Sequence, residues 1–89
     1  NEKDRAWVDA MCTPHPIATR MTKIAETGAR ERIAKKTYVR ATGYPDPNFD
    51  RFLAKYRSTT GWRTYEVPSG HDVMIDIPER LTEILREVA

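Results

Sequence analysis

His71 is the residue of this chain best placed for acid/base chemistry. It lies in Val67-Pro68-Ser69-Gly70-His71-Asp72-Val73-Met74-Ile75-Asp76-Ile77-Pro78-Glu79-Arg80-Leu81, which reads as a strand end, a short loop and a proline-started helix. An unperturbed imidazole titrates at about 6.5, so it accepts and returns a proton near neutral pH. From residue type alone, His71 reads first as a surface loop histidine, because an isolated histidine is weak evidence of catalysis. Gly70 is expected to let the backbone turn before it and to keep side-chain bulk away. Asp72 follows it directly, and a neighbour in sequence usually points away, so Asp72 reads as a surface carboxylate.

Other chemistry-bearing residues are weaker candidates. Cys12 and His15 invite a thiolate–imidazole reading. Only two residues separate them, prolines flank the histidine, and nothing nearby would orient the base. Cys12 reads better as a small, partly buried residue. As the sole cysteine it forms no disulfide within the chain, which fits a reducing, cytoplasmic compartment. Cys12, His15 and His71 have no recurrent metal-ligand spacing, so neither a metal nor a cofactor is expected. Ser58 follows a helix and Ser69 precedes Gly70-His71, so neither sits in a nucleophile's setting.

The elements that must position His71 follow from periodicity. Residues 2–12 read as the end of a helix, with Ala6, Trp7, Ala10 and Met11 at helical spacing, stopped by Thr13-Pro14-His15-Pro16. A short helix is expected within residues 17–27, ended by Gly28. Residues 35–41 cluster β-branched and aromatic side chains and read as a strand. After the breakers of Thr42–Pro47, Phe49, Phe52, Leu53 and Tyr56 form one stripe of a helix over 48–57. Asp46 suits its N-cap, with Pro47 at the first helical position. Ser58–Gly61 is a turn, Trp62–Val67 a second strand, and Ile77–Val88 the final helix, with Asp76 able to cap it.

Strand, helix, strand, loop, helix is a βαβα unit. Parallel sheets are normally wider than two strands and covered on both faces. These two strands therefore read as one edge of a doubly wound, mostly parallel α/β sheet whose other strands lie elsewhere. At 89 residues one domain at most is expected. A chain of this length buries only about 60–65% of its unfolded surface, a thin core. No apolar run is long enough to span a membrane. Arg30, Arg32, Lys35, Lys36 and Arg40 cluster, but only Tyr38 interleaves and Glu26 and Glu31 dilute the charge, so nucleic acid is not an expected partner. The start at Asn1 rather than Met is read as a sign of missing upstream sequence.

With these elements placed, the chain resembles the C-terminal part of an α/β-hydrolase, nearest the esterase and hydroxynitrile-lyase branch. The matching residues are Lys35-Lys36-Thr37-Tyr38-Val39, the loop to Phe49, Tyr65-Glu66-Val67-Pro68-Ser69-Gly70-His71-Asp72, and Pro78 through Leu85. Residues 30–89 would be the C-terminal part of the hydrolase core. Residues 1–29, matched more loosely, would be the end of a cap and the return to the sheet.

The resemblance implies that His71 is the general base serving a serine on a G-x-S-x-G elbow, a serine this chain does not hold. It implies a small ester-like substrate and, as partner, the N-terminal part of the same hydrolase. It places the triad acid near Gly43 and Tyr44. Asp46 lies just beyond and either orients the imidazole or caps the helix. Trp7, Met11 and Met21 would line a substrate pocket or simply pack in a core. The other class considered is a noncatalytic βα module that docks through an exposed sheet edge.

Overall fold

The computed structural model describes all of residues 1–89 and divides into two compact units, Asn1–Arg30 and Glu31–Ala89. The first unit holds α1 (Glu2–Met11) and a single helical turn, α2 (Ala18–Met21). Asn1 caps α1 by accepting the Asp4 N–H at 2.8 Å, and the helix ends at Cys12 in extended conformation. Of the short helix expected within 17–27, only this turn forms. Thr22 leaves it extended, and Gly28 has the positive φ of 72° that favours glycine.

The second unit is mixed α/β. After a 3₁₀ turn at Ala29–Arg32, which spans the boundary between the two units, come β1 (Lys36–Ala41), α3 (Pro47–Arg57), β2 (Trp62–Val67), α4 (Val73–Asp76) and α5 (Pro78–Val88). The two strands pair in parallel, with Lys36 opposite Trp62 and Ala41 opposite Val67. Strand side chains alternate between faces, and this register assigns a helix to each. From one face Tyr38 donates its hydroxyl to Phe49 O at 3.1 Å and Arg40 reaches Asp50 at 2.8 Å, both on α3. Trp62, opposite Lys36, stacks on Tyr56 with centroids 3.8 Å apart. From the other face Arg63 donates to Glu87 O at 3.2 Å and Tyr65 to the Glu87 carboxylate at 2.9 Å, both on α5. The small sheet is thus covered on both sides, as a parallel pair requires, and the expected βαβα order is present.

The core is small: Ala41, Leu53, Val67 and Ile84 are its buried apolar side chains. Asp46 caps α3 as the sequence indicates, accepting the Asn48 N–H at 2.8 Å, and Pro47 occupies the first turn. The end of the chain departs from expectation. The final helix starts at Pro78, Ile77 stands at its N-cap without a side-chain bond, and Asp76 does not cap it. Val73–Asp76 instead form a separate turn before the proline.

Candidate functional site

His71 leaves the C-terminal end of β2, beside the C-terminal end of β1. The two strand ends are stitched together by backbone. Thr42 N–H donates to Val67 O and Gly43 N–H to Ser69 O, each at 2.9 Å, and the Thr42 hydroxyl adds a bond to Val67 O at 3.1 Å. Gly43 is needed for this approach, because a Cβ there would lie 2.7 Å from the Ser69 carbonyl oxygen.

The loop is held from its other side by Asp76. Its carboxylate accepts the Gly70 N–H at 2.7 Å and lies 3.4 Å from the Ser69 hydroxyl, which itself donates to Gly70 O at 2.9 Å. Ser69 is only 4% exposed. Gly70 does not have positive φ, so the expected backbone reason for a glycine here is corrected. A Cβ at residue 70 would stand 2.6 Å from Asp76 Oδ2, so the glycine leaves room for that carboxylate to approach.

His71 itself is exposed. Its ring packs at 4.8 Å from Tyr44 and is nearly parallel to Phe49, with centroids 6.1 Å apart. These rings, with Tyr38, Arg40 and Val73, border a hollow of about 220 Å³ beside the unpaired edge of β1. Arg40 is the charged side chain in its wall. It is 4% exposed, pairs with Asp50, donates to Ala41 O, and lies 5.8 Å over the Phe49 ring. The Asp50 hydrogen bond raises its pKa further above the usual guanidinium value, so it stays charged. Burial raises the Tyr38 phenol, which therefore stays a donor to Phe49 O.

The remaining candidates fall as follows. Asp46 is engaged at the α3 cap, and no carboxylate hydrogen-bonds the His71 ring. Tyr44 stands at the position where the resemblance puts an acid, touching the imidazole through its ring. Asp72 is exposed and leads into α4 without a side-chain bond. Cys12 is exposed, not partly buried. His15 bonds Thr19 through Nε2. The Thr19 hydroxyl in turn donates to Pro16 O. No three of the His, Cys, Asp and Glu side chains converge as a metal site. Lys36 donates to Ile33 O at 2.6 Å and Arg40 is buried, which takes two members out of the basic cluster. Sequence reasoning missed the Arg40–Asp50 pair and the Asp76 contact; only the latter had a local signal, an acid just before the helix-starting proline.

No protein-family model matches this chain, and no solved structure does. The chain is similar to the carbendazim hydrolyzing esterase of Nocardioides sp. (strain SG-4G), 37% identical over 82 residues. The similarity covers 91% of this chain and 34% of that protein. The chain therefore spans about a third of the length of the curated relative it matches. No helix is long and apolar enough to cross a membrane.

Proposed function

We propose that this chain is the C-terminal part of a serine hydrolase of the α/β-hydrolase fold that acts on carboxylic esters, with His71 as its general base. The observation that carries the reading is the position of His71 at the C-terminal ends of two parallel strands, where open α/β sheets bind their ligands. Similarity to a protein named an esterase supports it. Residues 1–29 are the end of a cap, residues 30–89 the last part of the core, and the compartment is cytoplasmic.

The serine and oxyanion donors belong to the N-terminal part of the same hydrolase. In the reaction the serine oxygen attacks the ester carbonyl as its proton passes to the imidazole. Backbone N–H groups hold the oxyanion, and the imidazolium returns the proton to the leaving alcohol. Water repeats the sequence to release the acid. We assign Asp46 to the α3 cap, which leaves the acid that orients His71 to another segment of the protein.

The unpaired edge of β1 favours a second reading, a noncatalytic module that docks by strand addition. A serine-directed fluorophosphonate decides between them. Covalent labelling of the full-length protein, or of a polypeptide that co-purifies with this chain, is expected for the hydrolase. A folded, monomeric and unlabelled 89-residue species supports the module.

A further inference from the structure

We propose that Asp76 is a positioning residue for His71: its carboxylate clasps the backbone of the histidine loop and so fixes where the imidazole is presented. The inference rests on the reading of His71 as the general base. Three observations carry it.

First, Asp76 Oδ2 accepts the N–H of Gly70, the residue directly before His71, at 2.7 Å. A bond from a backbone amide to an ionised carboxylate is roughly twice as strong as a neutral one. Second, residue 70 is matched to this contact, since any Cβ there would stand 2.6 Å from the same oxygen. Third, the carboxylate has no competing duty. It forms no cap on α5 and no ion pair, and its other neighbour is the buried Ser69 hydroxyl at 3.4 Å. With the Gly43 amide fixing Ser69 O from the β1 side, the loop is gripped from both flanks. Backbone freedom just before His71 is thereby removed. General-base catalysis needs this, because a misplacement of about 1 Å can cost about 100-fold in rate.

The test uses the full-length protein with ¹³C-labelled histidine. The His71 signal is assigned by its loss in His71→Gln, and its shift reports the Tyr44 ring at 4.8 Å. Asp76→Ala should displace or broaden that signal and lower kcat by about 10- to 100-fold, with KM within about twofold. Asp76→Asn keeps a carbonyl oxygen for the Gly70 N–H and should hold both close to the parent. Gly70→Ala, which pushes the carboxylate away without removing it, should behave like Asp76→Ala and serves if that variant does not fold. An unmoved His71 signal and parental kcat in Asp76→Ala, or an equal loss in Asp76→Asn, would overturn the clasp. If Asp76→Ala moves the His71 signal while His71→Ala keeps its turnover, the clasp stands and the base assignment fails.

Discussion

At the scale of single residues, Asp46 is the clearest case of a role fixed by local chemistry. An acid followed by proline at a helix start is a complete N-terminal signal in the sequence, and the Asn48 N–H at 2.8 Å fulfils it. Asp46→Asn should leave both melting temperature and kcat near the parent values, because asparagine caps about as well. Asp46→Ala should lose about 1 kcal/mol in a denaturant titration with little change in kcat. A large fall of kcat in Asp46→Asn at unchanged stability would give Asp46 the orienting role instead. Gly43 makes the opposite demand, for space. Gly43→Ala sets a Cβ 2.7 Å from Ser69 O, and the displacement should cost about 1–3 kcal/mol by the same titration. The Gly43 contact had no signal in the sequence, and the acid before Pro78 signalled a helix cap rather than the Asp76–Gly70 contact it makes. Each joins segments whose closeness depends on the finished fold, and so the glycine before His71 suggested a turn when it serves an approach.

At the scale of elements, the strands were legible from their clustered β-branched and aromatic residues and α3 from its period of about 3.6. The end of the chain was not, since a single turn before Pro78 has no periodicity of its own and is set by the loop it closes. The faces of the helices divide the apolar stripes in a way periodicity alone cannot. On α3, Leu53 is buried and Phe52 is 42% exposed; on α5, Ile84 is buried and Leu85 is 57% exposed. The buried pair packs within this chain; if further strands of a hydrolase sheet adjoin it, the exposed pair should face them. Leu53→Ala and Ile84→Ala should each destabilise the full-length protein by about 2–5 kcal/mol. Phe52→Ser should also destabilise the full-length protein, by more than the roughly 0.5 kcal/mol typical of surface positions. A calorimetric melt unchanged by Phe52→Ser would show that its face stays in water.

At the scale of the whole molecule, a two-stranded parallel sheet with one unpaired edge on each strand is incomplete by the ordinary standard of such sheets. The N-terminal unit buries none of its large apolar side chains; Trp7, Met11, Ile17, Met21 and Ile24 are all exposed, so the Trp7, Met11 and Met21 group forms no core within that unit. Residues 1–89 expressed alone should be insoluble or molten, with weak near-UV dichroism and strong dye binding. A sharp, cooperative monomeric transition would favour the docking module. The βαβα order and the shortage of strands could both be read in the sequence, whereas which apolar side chains are left exposed shows only in the structure. We propose that His71 serves a serine held elsewhere in the protein. This role is tested most directly by ester turnover of the full-length protein carrying His71→Ala. If His71 is the general base, kcat falls by about three orders of magnitude or more with folding nearly unchanged; a kcat close to the parent value would rule out that role.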